Sequence, residues 1–139
     1  MATTKLILRI GLALLVAAGV GWAWGVSGKS NSDRGLQIAE LRAELLEGRA
    51  AVLDARLDIY NVNFGEASRH FETGRTALQA ANARLMSLRR TEDAQSLEAA
   101  LTRIDEAQRL AGQLNQDANA VAADAAQTIF DVLGRMAKR

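Results

Sequence analysis

The stretch Ile59-Tyr60-Asn61-Val62-Asn63-Phe64-Gly65-Glu66-Ala67-Ser68-Arg69-His70-Phe71-Glu72-Thr73-Gly74 decides the fold. It carries a break between two long runs of the same rhythm. Before it, Ile38, Leu41, Leu45, Gly48, Val52, Ala55 and Ile59 recur in alternating steps of three and four, one side of an α-helix. Leu46, Leu53, Leu57, Tyr60 and Phe64 widen that side into a face suited to a bundle. After it the rhythm resumes through Phe64, Ala67, Phe71, Gly74, Leu78, Ala81, Leu85 and Leu88. Asn63 and Glu66 have the spacing of a capping box, so a second helix is expected to start near Phe64.

Further along, Arg89 and Arg90 suit the negative end of a helix, while Thr91, Glu92 and Asp93 suit the start of another. The next seam runs through Leu97, Ala100, Ile104, Ala107, Ala111, Leu114, Ala118, Val121, Ala125, Thr128 and Val132 without losing phase. The spacing therefore predicts helices over about 33–61, 64–90 and 92–137, an all-α antiparallel three-helix bundle in 36–139. The alternative is a turn at Asn115-Gln116-Asp117, which gives four helices. No Gly or Pro marks that turn. As one helix, 92–137 reaches roughly 65 Å against ~40 Å for its neighbours. Its end would overhang, leaving Ile129, Phe130, Val132, Leu133 and Met136 as an uncovered patch for a partner. Four helices would bury that patch. Pivoting the chain near 62 and 90 sets Gly48 opposite Gly74 and Gly74 opposite Ala107, a thin layer where helix axes approach closely.

Composition agrees with helix. The 139 residues contain no Pro and no Cys but 27 Ala, a mix poor in loop and in β-branched residues. The missing Cys excludes disulfides and thiolate metal sites. A net charge of +1 gives no basis for nucleic-acid binding.

The amino-terminal part reads differently. Between Arg9 and Lys29 no residue from Ile10 to Gly28 is charged, and about 19 residues are just long enough for a hydrocarbon core of roughly 30 Å. Residues 1–28 are expected to form a membrane anchor helix, with 29–35 as a polar hinge; a cleaved signal peptide is the rival reading. Trp22 and Trp24 suit the headgroup layer. Ala13, Ala17, Gly21 and Gly25 recur every fourth residue, a stripe through which membrane helices pack. All 16 acidic residues follow the span. The expected topology is a single pass through an inner membrane, N-terminus inside and bundle on the outer, periplasmic side.

Ala67-x-x-x-Phe71-x-x-Gly74, following the turn after Tyr60, resembles the second helix of a tetratricopeptide repeat. The resemblance covers roughly 25 residues and implies a helical hairpin that binds protein. Asp54 and Asp58 depart from its pattern and no copy follows at a spacing of about 34, so it implies neither an array nor a particular binding residue.

His70 is the only histidine, and Glu66 lies one turn before it. The pair suggests a general base or half a metal site, but no further His or Cys completes either. No catalytic, cofactor or metal residue is nominated, and no small-molecule substrate or nucleic acid is expected. The leading expectation is a non-catalytic accessory subunit on a larger bacterial-type membrane complex of the respiratory or photosynthetic kind, with the lipid bilayer and the complex's subunits as partners. A tethered adaptor for a soluble protein and a haem- or small-ligand-binding bundle using His70 are the alternatives.

Overall fold

The computed structural model describes residues 33–138. The expected anchor at 1–28, with Ala13, Ala17, Gly21, Trp22, Trp24 and Gly25, lies outside the described residues, as do hinge positions 29–32. Residues 33–35, expected as the end of the hinge, are already helical.

The described residues form four helices and no strand: α1 over 33–60, α2 Phe64–Ser87, α3 Thr91–Gly112 and α4 Ala118–Ala137. The bundle belongs to the unit Ala39–Arg139. The buried seams of α1, α2 and α3 fall at the expected positions apart from exposed Ile38 and Leu114, while α4 buries Ala122 and Ile129 where Val121 and Thr128 were expected. Leu41, Leu45, Val52 and Ile59 come from α1, and Phe71, Leu78 and Leu85 from α2. Leu97 and Ile104 come from α3, and Ile129 and Val132 from α4; all eleven are fully buried. The space between α3 and α4 is filled largely by alanine, including Ala100, Ala107, Ala111, Ala118, Ala122 and Ala125.

Polar contacts at the rims show that each helix touches the next and that the fourth returns to the first. Arg84 on α2 reaches Glu40 at 2.6 Å and Glu44 at 2.8 Å on α1. Arg75 on α2 meets Asp105 on α3 at 2.8 Å. Arg103 on α3 meets Asp124 on α4 at 3.2 Å. Arg56 on α1 donates to the Oδ1 of Asn119 on α4 at 3.0 Å, and that asparagine's amide donates back to the Arg56 carbonyl. The short connections make successive helices antiparallel.

The continuous third helix is thus corrected in favour of the four-helix alternative. The chain breaks at 113–117 and α4 folds back along α3. Magnitudes explain the choice. Folding back buries Ile129, Val132 and Met136, each worth roughly 1.5–3 kcal/mol, and the turn asks for one residue with positive φ, at about 1–2 kcal/mol. Last and first core positions Ala111 and Ala118 are one heptad apart, so the turn leaves no phase shift in the sequence.

All three turns share one geometry. The N–H groups of Asn63, Arg90 and Asn115 donate to the carbonyls of Asp58, Leu85 and Leu110, five residues back. Those of Val62, Arg89 and Leu114 donate three residues back, to Ile59, Met86 and Ala111. This is the Schellman closure. The residue in the left-handed region is Val62 (φ 61°), Arg89 (φ 58°) or Leu114 (φ 56°), never glycine. Helix starts differ from expectation too. Asn63 makes no side-chain capping bond, and Arg90 rather than Thr91 occupies the cap position of α3. The third turn has its own support, the Asn115 Oδ1 accepting from the Asp117 N–H at 2.8 Å.

Relieving this strain gives a stability prediction. Val62→Gly and Leu114→Gly remove exposed side chains (64% and 71%) from left-handed backbone. Relief of about 1–2 kcal/mol exceeds the added unfolded-state entropy of about 0.4–1 kcal/mol. Each is expected to raise the thermal midpoint by a few degrees, Val62 more because it is β-branched. A lower midpoint in scanning calorimetry would refute this.

Candidate protein-binding face

The clearest departure from a closed bundle is on α1. Leu46, Leu57 and Tyr60, expected to widen the core face, point outward with exposures of 56%, 61% and 77%. Phe64 alone of that outer set is buried, at 8%, and Leu53 is partly buried against the core. Ala39, Ala43 and Ala50 are exposed on the same side. These residues form a second seam, offset from the buried one, in the order 39, 43, 46, 50, 53, 57, 60. The steps are again of three and four, so one helix carries two apolar stripes.

The groove beside this stripe is shared with α4. Leu53, Arg56, Leu57, Tyr60 and Asn119 line an open depression of about 350 Å³. Higher up, the Arg49 guanidinium lies over the Phe130 ring, 5.3 Å from its centre, a contact worth roughly 0.5–1 kcal/mol where exposed. Among the described residues the Arg49 Nε has no hydrogen-bond partner.

The expected partner patch is thereby divided and corrected. Ile129 and Val132 are fully buried and Met136 is 8% exposed, because α4 folds back instead of overhanging. Leu133 packs partly buried against the core. Only Phe130, 53% exposed, remains available to a partner, and it joins the α1 face through Arg49.

His70 pairs with a residue other than Glu66. Its Nδ1 pairs with the Asp58 carboxylate across α1 and α2 at 2.7 Å, whereas Glu66 pairs with Arg69 at 2.9 Å. The imidazole is a tie between two helices on the bundle flank. Among the described residues no group of three or more His, Asp or Glu side chains converges on a point that could hold a metal ion.

The other charged feature is structural. Asp93 is the one buried charged residue among the described residues, at 4% exposure. Its two oxygens accept from Arg90 and Arg135, each at 2.7 Å, and Arg135 also donates to the Ser96 hydroxyl at 3.1 Å. Burial by itself raises the Asp93 pKa, but the hydrogen bonds from Arg135 and Arg90 and their charges outweigh it. The carboxyl is held below its usual range. The cluster fastens the end of α4 to the start of α3.

Gly48 and Gly74 mark the closest approach of α1 and α2, as their spacing predicted. A Cβ on Gly74 would lie 3.2 Å from the Gly48 carbonyl oxygen, and one on Gly48 would lie 2.5 Å from the Leu78 Cγ. The two helices are in contact at these glycines, and beside them Glu44, Glu47, Glu72, Thr73, Thr76, Ala77 and Ala80 line an open depression of about 500 Å³.

The outer stripe is the candidate feature that the sequence reading missed. Its signal was present as a second run of three-and-four steps, but only burial separates a widened core face from an independent outer one. No helix among the described residues is long and apolar enough to cross a membrane. No family model matches this chain, and no curated protein or solved structure does either.

Proposed function

We propose that this chain is a non-catalytic accessory subunit of a larger membrane complex, tethered by residues 10–28 in an inner membrane. In this reading the N-terminus is inside and the bundle stands on the outer side, acting through protein contact. The observation that carries it is the outer stripe of α1: Leu46, Leu57 and Tyr60 stand exposed on a bundle whose core is otherwise closed. A run of large apolar side chains left in water marks a partner surface. The uncharged segment from Ile10 to Gly28 supports the tether, and its stripe Ala13, Ala17, Gly21 and Gly25 offers a packing face to another membrane helix.

The test is native purification of the full chain from membranes in mild detergent. Co-migration with a larger assembly is expected. Gly21→Ile together with Gly25→Ile should release the chain from it, because bulky side chains hold the backbones apart. Migration free of any larger assembly in the unaltered protein would overturn the reading.

A further inference from the structure

We infer that the outer face of α1 is a self-association surface on which a second copy of this chain lies parallel and in register. The inference rests on the reading that this face binds protein and names the partner. Ala43, Leu46, Ala50, Leu53, Leu57 and Tyr60 keep a strict three-four alternation, the pattern of a two-stranded coiled-coil seam. Alanine at 43 and 50 lets two helix axes approach closely, and leucine at 46, 53 and 57 meets its own copy.

The flanks choose the partner and its direction. Immediately before the seam positions 43, 50 and 57 stand Arg42, Arg49 and Arg56. Immediately after the seam positions 39, 46 and 53 stand Glu40, Glu47 and Asp54. One edge of the stripe is therefore basic and the other acidic as far as Asp54, with the neutral Asn61 following Tyr60. In a parallel in-register pair each basic-edge residue faces the residue five further along the other copy. Arg42 then meets Glu47, and Arg49 meets Asp54, twice each by symmetry. An antiparallel pair would set basic edge on basic edge and acidic on acidic, which repel. A second copy of this chain carries the complementary edges in the correct register.

The fold leaves these charges available. Arg42, Glu47 and Asp54 are exposed and Arg49 is half-buried over the Phe130 ring, and the four take part in no ion pair among the described residues. Glu40 is instead drawn to Arg84 and Arg56 to Asn119, so the two central crossed pairs carry the register.

Cysteine cross-linking in the full chain, in detergent or nanodiscs, tests this cleanly because the chain has no Cys. Leu46→Cys is expected to form a symmetric disulfide about tenfold faster than Gln79→Cys, an exposed control on α2. Arg42→Glu or Glu47→Arg alone should weaken self-association about tenfold, since two attractions become repulsions. The two together should restore it. Equal disulfide rates at 46 and 79, indifference to the charge changes, or mixed disulfides between Ala43→Cys and Leu57→Cys chains would overturn the inference. Cross-links from position 46 to a different protein would overturn it while leaving the accessory-subunit reading standing. Symmetric cross-links in a chain that joins no larger assembly would support it and overturn that reading instead.

Discussion

Gly48→Val is expected to lower the unfolding free energy by about 3 kcal/mol, near the upper end for overpacking a closed core. Even the first added carbon would fall 2.5 Å from the Leu78 Cγ and Cδ2. Leu78 is itself fully buried, so it has no open space into which to swing. Across the same contact, a Cβ added at Gly74 would lie 3.2 Å from the Gly48 carbonyl oxygen, 3.4 Å from Val52 and 3.5 Å from Ala51. The helices cannot part without opening the seam above and below. Gly48→Ala is expected to lose about 1–2 kcal/mol, because the clash outweighs a helix-propensity gain of about 1 kcal/mol. Adding Leu78→Ala to Gly48→Ala should then be less damaging than Leu78→Ala alone, which ordinarily costs about 2–5 kcal/mol. Gly134 is the internal control. Nothing lies within 4 Å of the Cβ it would gain, so Gly134→Ala is expected to stabilise by about 0.5–1 kcal/mol. Denaturant unfolding reads all of these as midpoint shifts at constant slope. An unchanged midpoint for Gly48→Val would refute the close approach of α1 and α2.

Asp93→Ala is expected to lose about 2–3 kcal/mol. Breaking a fully buried pair costs about 3–5 kcal/mol, and the figure is lower here because the Arg135 side chain is 42% exposed and recovers water. Arg90 does not recover so well: its side chain is 17% exposed, and its Nη2 already lacks a partner among the described residues. The pH dependence distinguishes this ion cluster from simple packing. The folded carboxyl titrates below its ordinary value, so its contribution is complete above the unfolded value of about 3.9 and is lost as pH falls through the folded one. The midpoint difference between the unaltered protein and Asp93→Asn should stay constant from about pH 8 to 5 and shrink below about pH 4. A difference that grows on acidification would reverse the assigned sign.

Much of this fold was written in local pattern. The buried seams of α1 to α3, the turns near 62 and 90, and the Gly48–Gly74 approach follow from apolar spacing alone, whereas α4 buries Ala122 and Ile129 in place of the expected Val121 and Thr128. A helix side that faces a core must repeat every three or four residues, and small residues must stand where axes meet. The third turn did not follow. Leu114 occupies the left-handed position that glycine would have advertised, and the heptad continues from Ala111 to Ala118 as though the helix did. Locally the sequence is consistent with either architecture, and the chain turns because α4 gains a buried face by returning. The Asn115–Asp117 bond was the one local hint.

The candidate site divides the same way. Sequence by itself determined that the described residues are helical, that 10–28 carry no charge, and that α1 carries more apolar residues than one seam needs. Only tertiary structure decided which of them a partner can reach. Leu46, Leu57 and Tyr60 are left outside while Ile129, Val132 and Met136 are taken in. The physical reason is that periodicity specifies angles around a helix, whereas exposure depends on which neighbouring helices occupy those angles. One neighbour of α1, the helix α4, was set by a turn more than fifty residues away.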